Sequence, residues 1–339
     1  MHSHLPTSQH PYNRRRFIRN GVGIFAGGML ATPRLSAQAQ SLLTRTRKAL
    51  GSKVSIQVSH PDPVLAAEAI NAAFEAIEEV EQAMSLYRAN SEIVRLNRDS
   101  VLENPSPGIL RVLRFAQDLS QKSGGAFDVT IQPMWDLYES CASRSSLPEP
   151  EAVRKRKQSI GWQQLSIREQ TIRLSSPDTK ITLNGIAQGY ATDQAKHALT
   201  RAGIKHALID CGELAPLGNK GASTPWKVGI QHPRKADSFS ALMNLETRTL
   251  ATSGDYETRF SDDFKHHHIF DPRTGQSPAE LASASVLAPA AMQADALSTT
   301  LMVLGAEKGL AFAEKMEAVD ALLITKTGHI LSTKHFPTL

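Results

Sequence analysis

The alternation of strand patterns with amphipathic helix patterns is the feature that most constrains the fold of this chain. Residues 53–60 alternate polar and apolar side chains, as a strand with one buried face does. Immediately afterwards, apolar residues between Ala67 and Met84 recur at steps of three and four, which marks one face of a long helix. This change of period recurs along the chain without an internal repeat or a long linker. The pattern predicts a mixed α/β (α+β) fold with at most two closely packed lobes.

Turn residues set the boundaries of the other predicted elements. A second helix is predicted over 108–122, where Gly124 and Gly125 end it. The polar, proline-bounded stretch 148–158 is predicted to be a surface excursion. Further strands are predicted at 164–167, 172–174, 180–183, 207–210, 226–231, 241–245, 249–252, 283–287 and 321–324. Further helices are predicted at 187–202, 292–304 and 307–316.

Length and composition exclude two whole classes of protein. At 339 residues the chain has room for one large domain or two ordinary ones. Its content of 41% hydrophobic and 21% charged residues is sufficient for a packed core, which excludes intrinsic disorder as the main state. No apolar run approaches the roughly 20 residues that a membrane-spanning helix needs, so an integral membrane protein is excluded as well.

The basic charge balance belongs to the N-terminal segment alone. The chain has 38 lysine and arginine residues against 33 aspartate and glutamate residues, a net charge of +5. Five of the arginines and none of the acidic residues lie within 1–39, so the remaining chain carries 33 charges of each sign. A nucleic-acid partner therefore loses its electrostatic support, and none is expected.

Residues 1–39 have the three parts of a twin-arginine signal peptide in the expected order. Residues 13–19 hold the consecutive arginines, residues 21–31 form a short apolar and glycine-rich run, and residues 37–39 are Ala-Gln-Ala, a small-x-small cleavage site. We therefore predict cleavage after about Ala39 and a mature protein in the bacterial periplasm, with a disordered basic tail as the alternative. No cysteine follows the apolar run, so no lipid anchor is expected there.

Six short stretches contain more specific residues than packing requires. They span 84–87, 125–130, 184–190, 251–256, 268–275 and 294–299. The stretch 184–190 is predicted to follow a strand and to open a helix, and its two glycines allow close backbone approach to a ligand. The free N–H groups and the dipole of a helix N-terminus favour a phosphate there. An ordinary strand–turn–helix connection explains the same residues.

A candidate metal site is formed by Asp295 and Thr299, which are four residues apart near the start of a predicted helix and so share one face. A carboxylate, a hydroxyl and a nearby carbonyl are hard oxygen ligands that suit Mg²⁺ beside a phosphate. The alternative is a structural pair, with an aspartate favoured by the helix dipole and a threonine bonded back to the preceding turn.

Three adjacent histidines, 266–268, precede a turn at 271–275. They cannot all point the same way in a strand, and no cysteine or glutamate stands at ligand spacing, so a solvated or mixed run is favoured over a zinc site. His268 differs because the turn would fix its position, and a histidine held near a phosphate is a suitable general base. Phe127 and Tyr87 could either stack on an aromatic ligand or lie in the core.

The chain contains two cysteines, Cys141 and Cys211. So few cysteines cannot form a disulfide framework or a zinc cluster. Two separate thiols, with Cys211 buried, are favoured over a single disulfide, although the sequence leaves that pairing open.

Taken together and in this order, the six stretches resemble the ApbE family of FAD:protein FMN transferases over residues 50–305. The resemblance implies a two-lobed fold with mixed sheets and flanking helices, and with the FAD cleft between the lobes. It implies that residues 40–339 form one flavin transferase domain. The implied reaction depends on Mg²⁺: the FAD diphosphate is split, FMN is joined through a phosphoester to a threonine or serine of a target protein, and AMP is released.

The resemblance also assigns roles to individual positions of this chain. The implied flavin or FAD contacts are Leu50, Tyr87, Ala126, Phe127, Asp128, Asn184, Tyr190 and Ile269. The implied metal ligands are the carbonyl of Ala187 and the side chains of Asp295, Ser298 and Thr299. His268 is implied to be the residue nearest to the transfer chemistry.

Two departures from the usual family pattern resemble the NosX-type branch. Gln188 stands where a lysine is frequent, and residues 210–213 are Asp-Cys-Gly-Glu in place of the usual Asn-x-Gly-Gly-Asp. The branch implies service to nitrous-oxide respiration, by flavinylation of a membrane-associated electron-transfer protein with an exposed threonine or serine segment. Because Gln188 lacks the positive charge of the usual lysine, the sequence leaves open how the negative charge of the FAD phosphates is neutralised. The alternatives are therefore a periplasmic FAD-binding or chaperone protein without transfer, and an FAD pyrophosphatase.

Overall fold

The structure is a computed structural model that describes residues 22–24, 41–221 and 223–337. Apart from 22–24, the predicted signal peptide lies outside the described residues, so its assignment stays a prediction. The strands are β1 (Val22–Ile24), β2 (Ser41–Ala49), β3 (Ser52–His60), β4 (Val101–Glu103), β5 (Leu165–Ile167), β6 (Thr171–Leu174), β7 (Ala207–Asp210), β8 (Leu214–Leu217), β9 (Trp226–His232), β10 (Lys235–Leu245), β11 (Thr249–Gly254), β12 (Leu281–Ala288), β13 (Asp320–Thr325) and β14 (Ile330–Ser332). The helices are α1 (Pro63–Met84), α2 (Glu92–Asp99), α3 (Pro107–Lys122), α4 (Gln132–Ala142), α5 (Pro150–Lys157), α6 (Ala187–Arg201), α7 (Ala291–Leu304) and α8 (Ala306–Ala313), with a 3-10 turn at Trp162–Gln164. None of these helices is both long enough and apolar enough to cross a membrane.

The strand ladders of the described residues are all antiparallel. One eight-stranded sheet has the order β14-β13-β12-β11-β8-β7-β3-β2, and two three-stranded sheets have the orders β1-β9-β10 and β4-β6-β5. The mixed α/β fold class is confirmed, but the expectation of mixed sheets is wrong. Hairpins such as β2–β3 and β7–β8 join neighbouring strands through short turns, which only antiparallel strands can use.

The large sheet has a core on each face, as the side-chain alternation along β13 shows. Ala321 and Leu323 pack into the main core, where α1, α6 and α7 cover the sheet. Leu322 and Ile324 point to the opposite face and pack against β9 and β10 in a second core. Because both faces are covered, nearly every residue of β12 and β13 is buried.

Local sequence signals set the start of α1. Asp62 accepts hydrogen bonds from the backbone N–H groups of Val64 and Leu65 at 2.8 and 3.2 Å, and Pro63 occupies the first turn. The three- and four-residue steps of the sequence correspond to a continuous buried face that packs against α6. The end of α1 places Tyr87, a predicted site residue, just beyond the helix.

The strand predicted at 180–183 is wrong. The side chain of Asn97 accepts a hydrogen bond from the backbone N–H of Ile181 at 2.7 Å and donates one to its carbonyl at 2.8 Å. One amide side chain therefore takes the place of a neighbouring strand. Among the described residues, Lys180 makes only an isolated bridge to Ile131. Helix α6 consequently follows an irregular segment, although it starts at the residue that the sequence predicts.

The elements that the sequence pattern missed are mostly short. They are β1, β2, β4, β8, β14, α2, α4 and α5, the last within the predicted surface excursion 148–158. Helices α2 and α5 have eight residues each and strands β4 and β14 have three. Segments this short contain too few residues to show a helical or strand period of apolar side chains. Helix α5 has one buried residue, Val153, and the rest of the excursion is polar as expected.

Both cysteines are buried free thiols. Cys141 lies in α4 and Cys211 directly follows β7, in separate parts of the protein. Burial raises the pKa of the Cys211 thiol, which therefore stays protonated and unreactive. The prediction of two separate thiols, with Cys211 buried, is confirmed.

Helices α6 and α7 approach each other closely at Gly189. A Cβ atom at this position would lie 2.4 Å from the carbonyl oxygen of Ala291 and 2.7 Å from the Cα of Met292. Asp193, one turn later on α6, caps α7 by accepting hydrogen bonds from the N–H groups of Ala291 and Met292 at 2.8 and 3.0 Å. The absence of a side chain at Gly189 thus lets the first turns of two helices meet.

Replacing Gly189 by alanine is expected to lower the free energy of unfolding by about 1–3 kcal/mol, because the new methyl group must push two backbones apart. Thermal and urea melts of the mature protein measure the change. Gly309→Ala in α8 is the matched control, since a Cβ atom there would meet its nearest neighbour at 3.5 Å, an ordinary contact. The control should be neutral or stabilising by up to about 1 kcal/mol. Equal melts for the two variants would contradict the close approach of α6 and α7.

Candidate active site

One cavity of about 300 Å³ brings together most of the site residues predicted from the sequence. Its walls come from the β2–β3 turn, the end of α1, the segments before α4 and α6, the end of β11 and the first turns of α7. Eleven of the thirteen predicted site residues line it. They are Leu50, Tyr87, Ala126, Phe127, Asp128, Asn184, Ala187, His268, Ile269, Asp295 and Thr299.

Tyr190 and Ser298 are the two predicted site residues that the structure does not bring to the cavity wall. Tyr190 is buried in the main core. The Ser298 hydroxyl donates to the carbonyl of Asp295 at 2.8 Å and lies 2.7 Å from the hydroxyl of Ser253 on β11. Adjacent residues on a helix point about 100° apart, so Thr299 faces the cavity while Ser298 faces the sheet.

The β2–β3 turn and the end of α1 form one wall of the cavity. Leu50 and Gly51 have positive φ angles of 53° and 75°, as the two central residues of a type I′ hairpin turn require. Glu81 of α1 accepts a hydrogen bond from the Leu50 backbone N–H at 2.9 Å and so fixes the turn against the helix. Tyr87 is 64% exposed, which leaves its ring accessible to a planar ligand.

The segment before α4 is ordered by Asp128. Its carboxylate accepts hydrogen bonds from the backbone N–H and the hydroxyl of Thr130 at 2.8 and 2.6 Å. The Thr130 hydroxyl in turn accepts from the N–H of Gly161 at 2.8 Å. Burial raises the pKa of Asp128, and these hydrogen bonds oppose the rise. Ala126 and Phe127 are held beside it as a buried apolar wall of the cavity.

The turn that opens α6 lies against α7. A Cβ atom at Gly185 would lie 3.0 Å from the hydroxyl oxygen of Thr299, so a glycine permits this approach. Ile186, at the N-cap of α6, offers no side-chain hydrogen bond to the helix. Instead, Asp295 of α7 accepts a hydrogen bond from the Gly189 N–H at 3.0 Å. The start of α6 and the predicted metal ligands of α7 are therefore one connected unit.

Gln188 binds the neighbouring β7–β8 turn. Its Nε2 donates to the carbonyl of Cys211 at 2.9 Å, and its amide covers Gly212. Glu213, the next residue of this turn, is buried at the cavity, and its pKa is raised by burial and then by the nearby Asp295. The Gln188 side chain is a neutral amide, so it places no positive charge beside these carboxyl groups.

Asp295, Thr299 and Ala187, the predicted metal ligands other than Ser298, all line the cavity. Thr299 Oγ1 lies 3.2 Å from Ser253 Oγ, and the carboxylate of Asp295 is buried. Burial raises the pKa of Asp295, and the hydrogen bond from Gly189 opposes the rise. Within the part of the chain that the structure describes, no three histidine, cysteine or acidic side chains form a metal-binding group. A cation bound by Asp295 would need the Ala187 carbonyl, the Thr299 hydroxyl and the phosphate oxygens of a substrate to complete its coordination shell.

His268 reaches the cavity from the loop between β11 and β12 with a defined tautomer. The carbonyl oxygen of Thr258 lies 2.9 Å from the His268 backbone nitrogen and 3.2 Å from its Nδ1. Because a carbonyl can only accept, Nδ1 carries the proton and Nε2 keeps its lone pair. Burial lowers the pKa of His268 to about 4, so its ring is neutral at pH 7. A neutral imidazole with an Nε2 lone pair is the form that a general base requires.

The two histidines beside His268 have different surroundings. His267 is buried, its Nε2 lies 3.2 Å from the carbonyl of Pro278, and burial lowers its pKa to about 3. The ring of His266 packs near that of Tyr138, with centroids 6.2 Å apart. The histidine run is therefore mixed in environment, and of its three rings only that of His268 lines the cavity, within the described chain.

The cavity wall also contains residues without a site assignment from the sequence, and four of them carry polar or aromatic groups that suit a binding site. They are Trp135, Glu213, Ser253 and Glu257. Ser253 lies inside the stretch 251–256 and Glu257 directly follows it, so their position in the sequence was a usable signal. Burial raises the pKa of Glu257 to about 7, so this carboxyl can exchange its proton near neutral pH. Trp135 gave no signal because the sequence pattern did not predict α4.

A second cavity of about 440 Å³ shares part of its wall with the first. Leu86, Tyr87, Trp135 and Asn184 line both cavities. Much of its remaining lining is polar or charged and consists of Asn97, Arg98, Gln132, Asp136, Glu139 and Lys180. The protein therefore has room for a second reactant beside the candidate site.

These features together define the class of compound that the site suits. An apolar wall with an accessible tyrosine suits an aromatic ring system, while hard oxygens at the starts of two helices suit phosphate groups and a divalent cation. A neutral histidine completes the set with a proton acceptor. The site is that of a mixed α/β protein that acts on an aromatic compound bearing phosphates.

Comparison with known proteins places the chain in one family. The model of the ApbE family matches residues 50–323, and the chain belongs to that family. The FAD:protein FMN transferase of Haemophilus influenzae is 29% identical over 325 residues, which cover 91% of this chain and 94% of that protein. The protein of the same name from Escherichia coli (strain K12) is 31% identical over 267 residues, 75% of each chain. The solved structure of flavin transferase ApbE from Vibrio cholerae superposes with a TM-score of 0.76 at 28% identity, over 88% of this chain and 100% of that one.

Proposed function

We propose that this protein is an FAD:protein FMN transferase. The observation that carries the proposal is the meeting, in one cavity, of eleven residues that the family resemblance assigns to flavin binding, metal binding and transfer. Membership of the ApbE family, in which similar proteins bear this name, supports the same reaction. The second reactant is a protein with an exposed threonine or serine, because that hydroxyl must enter the cavity.

In the proposed reaction, the acceptor hydroxyl oxygen attacks the phosphorus on the FMN side of the FAD diphosphate. A new P–O bond forms while the bond from that phosphorus to the bridging oxygen breaks, and AMP leaves with the electron pair. The hydroxyl proton passes to Nε2 of His268, which the Thr258 carbonyl holds in the required tautomer. Tyr87 and Phe127 orient the flavin half, so the reacting atoms are held in line.

The residues present fit a Mg²⁺ ion. Ala187 through its carbonyl, Asp295 and Thr299 would hold it, since all three residues line the cavity and carry the oxygen ligands that Mg²⁺ prefers. Burial disfavours the ionised form of Asp295 and of its neighbour Glu213, and a bound cation would stabilise that ionised form. When bound, the ion would neutralise charge on the diphosphate and on the departing AMP.

Incubation of the mature protein with FAD and Mg²⁺ tests this proposal. The acceptor is supplied as the membrane and periplasmic fractions of a bacterial strain that lacks the protein. A fluorescent protein band after denaturing electrophoresis, with an equal amount of AMP, is the expected result. Free FMN and AMP without a labelled band would indicate an FAD pyrophosphatase instead. Unchanged FAD that stays bound would indicate a binding or chaperone protein.

A periplasmic location reached by twin-arginine export is part of the proposal. Changing both Arg14 and Arg15 to lysine is expected to leave uncleaved precursor in the cytoplasm, because the export route reads the paired arginines. Immunoblots of cytoplasmic and periplasmic fractions measure the distribution. Arg34→Lys is the matched control, since it changes an arginine of the same segment outside the pair. Normal periplasmic maturation of the double variant would contradict the assignment.

We propose further that the acceptor serves nitrous-oxide respiration as a membrane-associated electron-transfer protein. The support is that the two departures from the usual family pattern are in contact with each other. The Gln188 side chain donates a hydrogen bond to the backbone carbonyl of Cys211 in the Asp-Cys-Gly-Glu turn. The band labelled in the transfer experiment identifies the acceptor by mass spectrometry. An acceptor from an unrelated electron-transfer system would contradict this part of the proposal and leave the transferase activity standing.

A further inference from the structure

We propose that Arg234, Asp255 and Lys326 form a clamp that positions the loop carrying His268, an inference that rests on the proposed transferase function. The loop spans residues 255–280 and joins β11 to β12. None of these three described residues lines the cavity. Any effect of the clamp on FMN transfer must therefore pass through the loop, which makes its members positioning residues.

The clamp is a buried carboxylate held between two cations from different hairpins. Asp255, at the start of the loop, is fully buried and accepts two hydrogen bonds from the guanidinium of Arg234 at 2.7 and 2.8 Å. The Nζ of Lys326 lies 3.6 Å from the same carboxylate. Arg234 belongs to the β9–β10 turn and Lys326 to the β13–β14 turn. A bidentate arginine–carboxylate pair restricts the relative orientation of the two side chains. Together with Lys326, it therefore fixes the start of the loop against both hairpins.

The same two cations hold the tip of the loop at Phe264. The guanidinium of Arg234 lies over the Phe264 ring, 3.9 Å from its centroid, and Lys326 Nζ donates to the Phe264 carbonyl at 2.6 Å. Phe264 has a φ angle of 60°, in the left-handed region that bulky residues rarely adopt. These two contacts from outside the loop support the left-handed tip residue together with Arg259 of the loop itself, whose guanidinium lies 5.0 Å from the centroid of the Phe264 ring.

The start and the tip of the loop enclose the segment that fixes His268. Between them the two arms pair, with Arg259 opposite His267 in an isolated antiparallel bridge. Next to this bridge, the Thr258 carbonyl accepts hydrogen bonds from both the backbone N–H and the ring Nδ1–H of His268. Movement of the clamped start or tip would shift Thr258 and change the direction of His268 Nε2.

The opposite side of the loop has an independent attachment. Phe260 packs edge-on against Trp135 of α4 with centroids 5.7 Å apart, and Phe270 packs against Tyr138 at 4.7 Å. This aromatic cluster does not involve the clamp. The loop is therefore expected to stay attached to the protein when the clamp is broken, with a displaced His268 rather than an unfolded site.

The test is Arg234→Gln in the full mature protein. At saturating FAD its transfer rate is expected to fall about 10- to 100-fold, because a misplacement of about 1 Å at a reacting group has an effect of this size. The FAD dissociation constant, from a fluorescence titration, should stay within about threefold of wild type. Hydrogen exchange should accelerate within residues 258–268. Arg234→Lys should recover part of the rate, since it keeps the charge without the two-pronged geometry.

Arg248→Gln is the matched control. Arg248 forms a similar pair with the buried Asp320 at 2.6 Å, at the opposite end of β11 from the loop. It should lower the melting temperature without changing the transfer rate or the exchange of 258–268. Equal transfer rates for Arg234→Gln and Arg248→Gln would overturn the clamp, as would exchange that rises throughout the protein for Arg234→Gln. Faster exchange confined to the loop, together with the slower rate, supports it.

The readouts separate the clamp from the proposed function. A wild-type protein that binds FAD and transfers no FMN would overturn the proposed function, while the exchange pattern would still decide whether the clamp orders the loop. If Arg234→Gln yields no folded protein, Lys326→Gln carries the same measurements, because it removes the contacts to Asp255 and to the Phe264 carbonyl. Wild-type exchange and rate in that variant would overturn the clamp.

Discussion

Asp295→Asn is expected to lower FMN transfer at saturating FAD by about 10²–10³-fold, with partial recovery at high Mg²⁺. Asp295 is the carboxylate of the proposed metal set, whose other members, the Ala187 carbonyl and the Thr299 hydroxyl, are neutral. A site with so little charge needs substrate phosphates to complete the shell of the ion. Metal should therefore bind weakly to the free protein and tightly with FAD present. Transfer rates over a range of Mg²⁺ concentrations measure both effects.

The same substitution should stabilise the ligand-free protein at neutral and higher pH. Burial raises the pKa of Asp295 in the folded state, so the unfolded chain ionises this carboxyl more readily than the folded protein does. Stability is therefore lost as the pH rises from the ordinary carboxyl range through the raised pKa. Asparagine removes that loss and still accepts from the Gly189 N–H. Melting temperatures at pH 5 and pH 8 should differ less for the variant than for wild type.

Asp193→Ala is the matched control for Asp295. The carboxylate of Asp193 caps the same helix, α7, by hydrogen bonds to the N–H groups of Ala291 and Met292, and it does not line the cavity. Its removal should cost about 0.5–2 kcal/mol of stability and leave the Mg²⁺ dependence of transfer unchanged. Full activity of Asp295→Asn with a wild-type Mg²⁺ dependence would place the metal elsewhere. A collapsed melt would make Asp295 a structural residue.

The candidate site was easier to predict than the contacts that support it. Asp295 and Thr299 were expected to share a helix face because the helical period fixes that relation, and both line the cavity. Ser298 was assigned by resemblance alone, and the same period turns it toward β11. The sequence shows which residues of a helix share a face. Which face is turned toward the cavity depends on how the helix packs in the folded protein.

Contacts between distant segments gave no sequence signal. Asn97 replaces a strand partner for Ile181, and no local period reveals such a hydrogen bond. Asp255 lies in one of the six stretches, but its partners Arg234 and Lys326 come from two hairpin turns that carried no motif. Tertiary packing alone brings them together. The residues that position His268 were therefore beyond prediction, although His268 itself was not.

His268→Ala is expected to lower the transfer rate by about 10²–10⁴-fold while FAD binding stays within a few-fold of wild type. The ring supplies an Nε2 lone pair, and the Thr258 carbonyl fixes its tautomer. A single-turnover assay with saturating FAD measures the rate, and a fluorescence titration measures binding. Added imidazole should restore part of the rate by entering the space that the side chain leaves. His266→Gln is the matched control, because His266 belongs to the same run and does not line the cavity.

The pH dependence distinguishes this role from a structural one. Burial lowers the pKa of His268 to about 4, so its ring stays neutral well below pH 6.5. Protonation of this base should therefore not slow transfer until the pH falls close to 4. The unfolded chain takes up its proton near pH 6.5, so stability from His268 is present above that pH and is lost as the pH falls toward 4. His268→Ala should therefore melt with a weaker pH dependence in this interval. Wild-type transfer by His268→Ala at every pH would mean that another group takes the hydroxyl proton, and Glu257, on the same loop with a pKa of about 7, is the next candidate.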